Sequence, residues 1–212
     1  MPTAEIRDLL ASLAADSKNT VVIVSGRDHQ TLQDWLGDLP LYFIAEHGVA
    51  YRAPSEDWQV TEGLSTAWQK PVGALMNRAV AAVPGSFLES KSNSLAWHYR
   101  TAQADVASEG LRELQNSFVG LAEQHDLRVL DGNKVVEVQP RGIDKGASVD
   151  SWFDVGSYDF VLAMGDDVTD EDLFRALPSA AFTIKVGSGQ TEASERLPDP
   201  VAVRTLLGKL IQ

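Results

Sequence analysis

The sequence has no cysteine, which excludes disulfides, thiolate nucleophiles and cysteine-ligated zinc and leaves any chemistry to oxygen and nitrogen groups. No apolar run approaches the ~20 residues that a membrane-spanning helix requires. Basic residues are sparse: 18 lysines and arginines stand against 30 aspartates and glutamates, for a formal charge of -12. They form no cluster, so neither nucleic acid nor an anionic membrane surface is an expected partner. The opening segment, MPTAEIRDLLASLAADSK, carries acids where a secretion signal would place a basic region and an apolar core. The expected location is therefore cytoplasmic. Internal repeats and low-complexity linkers are also absent.

What is present is alternation. Ile6, Leu9, Leu10 and Leu13 recur at helical spacing, and the β-branched run Val21 to Val24 follows, ending at Ser25-Gly26, the pattern of a helix and then a buried strand. A helix across 28–36 and a strand across 41–45 ending in Glu46-His47-Gly48 repeat it, which predicts β/α alternation around a parallel sheet. Near Val49 the style changes. A hairpin to Val60, a helix over 64–83, strands over 87–91 and 95–100, a helix over 106–125 and strands over 128–130 and 135–138 read as a separate α+β unit. From Gly142 the first style returns, with a helix over 145–153, the strand DFVLAMG, a helix after Thr169, a strand over 181–186 and a last helix over 201–210. The expected organisation is a core of residues 1–62 and 139–212 interrupted by an α+β insertion of residues 63–138.

The densest chemical feature is GDDVTDEDLF, with five carboxylates in the seven residues from Asp166 to Asp172. Asp166 falls at the carboxyl end of its strand, where open parallel sheets place their ligand crevice, and Asp170 opens the next helix. Negative charge beside a helix N-terminus is favoured by about 0.3–1 kcal/mol, which accounts for Asp170, Glu171 and Asp172 as capping acids. It does not account for Asp166 and Asp167 ahead of the helix. Carboxylates crowded at a strand end repel unless protons or a cation intervene, and oxygen ligands suit Mg²⁺. Ser25 ends a strand at the same sheet edge, where a hydroxyl and following N–H groups hold a phosphate oxygen, although Ser-Gly is also an ordinary turn. Lys145 follows the helix cap Asp144, a place the helix dipole disfavours for a cation, so it is either a solvated lysine or one under functional demand.

These segments, together with VVIVSGR, IAEHG, LESKSNSLAWHYR and KVVEVQPRGIDKG, resemble the trehalose-6-phosphate phosphatases of the haloacid dehalogenase superfamily, in family order over nearly the whole chain. The resemblance implies a Rossmann-like core with an inserted α+β cap and Mg²⁺-dependent hydrolysis of trehalose 6-phosphate. It implies Ser25 and Lys145 as catalytic phosphate-site residues, Asp166 and Asp170 as metal ligands, and Arg27, Glu89, Lys91 and Glu137 as substrate-binding residues. A trehalose-6-phosphate synthase is an implied partner. Glu89 and Lys91, two apart, share a strand face, which suits sugar hydroxyls, the plainer alternative being a cross-strand ion pair. His47, His98, Arg100 and Trp97 are expected to be structural.

One departure accompanies the matches. The family begins with an apolar strand ending in D-x-D-G-T, which supplies the nucleophile and the general acid. Here the sole D-x-D, Asp170 to Asp172, lies at a helix start. The expectations are a missing first core strand, unpaired backbone groups in the sheet, an N-terminally truncated sequence, and no turnover by these residues alone. The alternatives are a non-catalytic sugar-phosphate-binding or regulatory module, or a phosphatase for another sugar phosphate such as sucrose phosphate or mannosylglycerate phosphate.

Overall fold

In a computed structural model, which describes residues 1–211, the chain divides into two compact units, Met1–Thr61 with Ile143–Gln212, and Glu62–Gly142.

The first unit opens with α1 (Ala4–Ala15), capped by Thr3, whose hydroxyl accepts from the Ile6 N–H. Strand β1 (Val22–Val24) leads through Ser25 to α2 (His29–Leu36) and β2 (Tyr42–Ala45). Asp28 starts α2 by accepting the Thr31 N–H at 2.8 Å and its hydroxyl at 2.7 Å, which satisfies a backbone donor that the helix leaves open. Strands β3 (Ala50–Arg52) and β4 (Gln59–Val60) fold back antiparallel, so one sheet runs β1-β2-β3-β4 with only β1 and β2 parallel.

The chain re-enters this unit at α5 (Lys145–Trp152), capped by Asp144 through the Ala147 N–H at 2.8 Å. Then come β9 (Leu162–Gly165), α6 (Asp170–Ala176), β10 (Phe182–Val186), β11 (Glu195–Leu197) and α7 (Pro200–Lys209). Asp199 caps α7, and Pro200 sits in its first turn, where a missing N–H costs nothing. The order β11-β10-β9 is parallel throughout. Strand β11 has no counterpart in the sequence expectation, because three residues ending Glu195-Arg196-Leu197 show neither an apolar run nor alternation.

The core is therefore an α/β fold whose sheet is in two halves. Among the described residues β1 pairs only with β2, and β9 only with β10. Yet Val22, Val24, Val161 and Ala163 pack on one apolar cluster that includes Ile44, Tyr51, Val149 and Leu173. Tyr51 stacks on Trp152 in that cluster, with centroids 4.1 Å apart.

The second unit contains α3 (Gln69–Ala82), β5 (Phe87–Ser90), β6 (Leu95–His98), α4 (Ala104–Gln124), β7 (Leu127–Gly132) and β8 (Val135–Pro140). Its four strands form an antiparallel sheet, β5-β6-β8-β7. Helix α3 starts at residue 69 rather than at the expected 64. Pro71 explains the shift, since a start at 69 places it in the first turn, whereas a start at 64 would put it in the interior and cost about 3 kcal/mol. Trp68, Val72, Met76, Trp97, Leu114, Phe118, Val136 and Val138 form the core between the two helices and one sheet face. The unit ends at Gly142, not at the expected 138, because β8 remains paired with β7 as far as Leu127–Pro140. No helix among the described residues is long and apolar enough to cross a membrane.

Candidate functional site

In the first unit, the site residues lie at the carboxyl ends of β1 and β9 and at the start of α5. Ser25 follows β1, its N–H bonded to the Ile44 carbonyl at 2.9 Å, and its hydroxyl accepts the Arg27 N–H at 3.1 Å. Arg27 is exposed, and its guanidinium lies 4.6 Å from the centroid of the Trp35 ring, which restricts a long side chain without neutralising it.

The Ser25 loop is braced by a strained turn. Glu46 and His47 both take positive φ, 49° and 59°, and Gly48 follows at 123°. Such conformations cost about 1–3 kcal/mol each for non-glycine residues and persist where the surroundings enforce them. Here the Glu46 N–H donates to the Arg27 carbonyl at 2.9 Å and the His47 N–H to the Ser25 carbonyl at 3.0 Å. A Cβ at Gly26 would lie 2.3 Å from His47 Nε2, so only glycine lets the imidazole close over the loop. His47 is thus structural as expected, with its role specified: its carbonyl accepts from Ser148 Oγ at 2.9 Å, which ties the Ser25 loop to α5.

Helix α5 then carries the link onward. Lys145 Nζ donates to Asp170 Oδ1 at 2.6 Å, and the two side chains are only 8% and 9% exposed. A solvated lysine is thereby excluded. The helix approach that makes this contact depends on Gly146, whose added Cβ would fall 2.4 Å from the Asp172 carbonyl oxygen. Asp170 Oδ2 accepts the Asp167 N–H at 2.8 Å, and the carboxylate folds back over Gly165, leaving no room for a side chain there. Asp166 and Asp167 themselves are exposed.

These donors fit a hard cation. Asp166 and Asp170 offer oxygen only, which suits Mg²⁺. No group of three or more acids or histidines that could hold a metal ion converges among the described residues. Asp166 and Asp170 would hold the cation, and it would supply charge neutralisation at a phosphoryl oxygen.

The second unit brings the remaining candidates to one sheet face. The register sets Glu89 opposite Ala96, and Ala96 opposite Glu137, so these side chains point away from the Trp97 core. A cross-strand ion pair is present on this face, between Lys91 and Glu137. Glu89 Oε2 and His98 Nε2 share a hydrogen bond of 2.7 Å, whereas Lys91, just beyond β5, lies 3.4 Å from Glu137 Oε1. Glu137 also accepts from Ser94 Oγ at 2.6 Å. Phe87, more than half exposed, stacks on His98 with centroids 4.7 Å apart. His98, expected only to be structural, and Ser94, which the sequence did not single out, therefore belong to this polar face; cross-strand register is not visible in the sequence. Gln69 Nε2 fixes the adjoining turn through the Ser92 carbonyl at 2.7 Å.

Lys185 was also missed. It is 5% exposed, and its Nζ lies 3.3 Å from Glu171 Oε1 and 2.8 Å from the Asp166 carbonyl. A lone cation inside the apolar strand Phe-Thr-Ile-Lys-Val was the available signal, since a buried charge requires partners.

An α/β core with paired acids, a buried lysine and a hydroxyl loop at its strand ends has the haloacid dehalogenase-type hydrolase fold. The trehalose-phosphatase family profile matches residues 1–200, and the chain belongs to that family. It is 38% identical over 210 residues to a bifunctional trehalose-6-phosphate synthase/phosphatase of Thermoproteus tenax, covering 99% of this chain and 29% of that protein. It is 33% identical over 255 residues to a trehalose-phosphatase of Saccharomyces cerevisiae, covering 100% of this chain and 28% of that protein. The solved C-terminal domain of the C. albicans trehalose-6-phosphate phosphatase superposes with a TM-score of 0.91 at 28% identity, covering 100% of this chain and 84% of that one. The chain thus spans less than a third of the length of these curated relatives.

Proposed function

We propose that the chain forms the phosphatase portion of an Mg²⁺-dependent enzyme that hydrolyses trehalose 6-phosphate to trehalose and phosphate. The observation that carries this is the buried Lys145–Asp170 pair beside the exposed Asp166, a site that holds positive and negative groups in place for a phosphoryl group and its cation. Ser25 and Lys145 take the phosphate oxygens. Asp166 and Asp170 take the cation, and Arg27 lies at the rim of the phosphate loop.

Glu89, Lys91 and Glu137 take the sugar, whose hydroxyls need both donors and acceptors. Lys91 supplies the donors, and the two carboxylates supply acceptors held at fixed angles by Ser94 and His98. The name of the Thermoproteus relative supports association with a synthase, either as part of one polypeptide or as a partner. A cytoplasmic location agrees with the acidic composition.

None of the residues described supplies the attacking carboxylate, because the sole D-x-D opens α6 instead of ending a strand. The test measures phosphate release from trehalose 6-phosphate with Mg²⁺ by this chain and by a version with a D-x-D-bearing strand ahead of Met1. Release by the extended protein alone is expected. Binding without release by both folded proteins would favour a regulatory sugar-phosphate module, and faster release from sucrose phosphate would move the specificity.

A further inference from the structure

The turn Asp166–Asp167 connects β9 to α6, and its first peptide plane is held from both ends. The carbonyl oxygen of that plane, on Asp166, accepts from Lys185 Nζ at 2.8 Å. The N–H of the same plane, on Asp167, donates to Asp170 Oδ2 at 2.8 Å. Lys185 Nζ also donates to the Asp167 carbonyl at 3.3 Å, and it stands 3.3 Å from Glu171 Oε1 in an ion pair that lacks hydrogen-bond geometry. Glu171 is fixed in turn: its Oε2 accepts the Thr191 hydroxyl at 3.0 Å and the Glu192 N–H at 2.8 Å. Register places Lys185 beside Gly165 on β9 and Arg196 on β11, so the ammonium rises from the middle strand of the half-sheet to meet the turn.

A buried lysine–glutamate pair is a weak stability device, because desolvating two charges offsets their attraction and apolar replacements are frequently neutral. Two of the three Lys185 contacts go to main-chain oxygens, and those contacts fix a peptide orientation. Orienting that plane orients the Cα–Cβ bond of Asp166, an exposed carboxylate that the plane itself positions.

We propose that Lys185 is a positioning residue for the candidate cation site: by clamping the Asp166 and Asp167 carbonyls it aims the Asp166 carboxylate, with Glu171 serving as its buried counter-ion. This rests on the assignment of Asp166 and Asp170 to Mg²⁺. Partners that orient metal-binding groups without touching the metal alter affinity by about 10–100-fold when removed, and Lys185 has the geometry of such a partner.

The test compares Lys185→Met with the double variant Lys185→Met/Glu171→Gln, which removes both buried charges together. Two readouts are taken: protection of the Asp167 amide by NMR hydrogen exchange, and the Mg²⁺ dissociation constant by titration calorimetry with the metal alone. The single variant is expected to melt at a lower temperature because Glu171 keeps an uncompensated charge. The double variant is expected to recover the melting temperature while still losing Asp167 protection and binding Mg²⁺ about 10-fold more weakly. Recovery of protection and affinity along with the melting temperature would reduce Lys185 to a structural counter-ion and overturn the proposal. If the unsubstituted chain fails to bind Mg²⁺, the metal assignment falls, and the amide protection still decides whether Lys185 holds the turn.

Discussion

Lys145 on α5 and Asp170 on α6 form a 2.6 Å ion pair in which neither side chain is more than a tenth exposed. The pair joins the two helices that follow the second entry of the chain into the core, and it lies where the acid-rich strand end begins. Removing one partner leaves the other as a buried, uncompensated charge. Lys145→Met is therefore expected to cost about 3–5 kcal/mol, seen as a lowered urea midpoint, and to abolish binding of inorganic phosphate. A variant that keeps its midpoint would show that water reaches Asp170.

Glycine substitutions separate close helix packing from helix propensity. In α5, Gly146→Ala drives a methyl group toward the Asp172 carbonyl, 2.4 Å from where the new Cβ would stand. In α4, Gly120 has nothing within 4 Å of that position. Gly146→Ala should destabilise by about 1–3 kcal/mol through overpacking, while Gly120→Ala should stabilise by roughly 0.5–1 kcal/mol through propensity. Thermal denaturation of both variants checks the opposite signs.

Asp28 gives the chain an acid-sensitive helix start. Its hydrogen bond from the Thr31 side chain is the largest influence holding its carboxyl below the ordinary aspartate range, and desolvation opposes this. A carboxyl more acidic in the folded state contributes stability that is present above its unfolded value and lost as pH falls through its folded one. Asp28→Ala should cost about 1 kcal/mol at neutral pH, and the deficit relative to the unsubstituted chain should shrink in strongly acidic buffer. A deficit independent of pH would contradict the cap.

The divided sheet makes a prediction at single-residue resolution. The Ser25 N–H and the Val21 carbonyl bond to the β2 side, so in β1 the peptide groups of Val22 and Val24 face the open edge. The Val161 carbonyl bonds to Phe182, so in β9 Leu162 and Met164 face theirs. Hydrogen exchange should be faster at Val22, Val24, Leu162 and Met164 than at Ile23 and Ala163. Equal protection across each strand would mean that the edges are covered in solution.

Much of this was legible in the residues. Val22–Val24 and Leu162–Gly165 announce themselves as apolar strands stopped by glycine, and Asp144 as a cap, because each signal is local. Ser25, Lys145, Asp166 and Asp170 became candidates through position at strand ends and helix starts, and their proposed roles came from the family resemblance. The partners were not legible. That Glu89 meets His98 across a hairpin, and that Glu137 meets Lys91 from 46 residues away, depends on cross-strand register. The grip of Lys185 on the Asp166 carbonyl depends on which strand lies beside β9. Pro71 could have corrected the start of α3, since its place in a helix is restricted whatever the tertiary contacts.

The strained run Glu46-His47-Gly48 has one more consequence. Because His47 donates its amide to Ser25 and accepts the hydroxyl of Ser148 on its carbonyl, a single residue couples the loop after β1 to the helix bearing Lys145. Relaxation of that bend toward ordinary torsions would shift both attachments at once, so one main-chain segment is a shared anchor for the two.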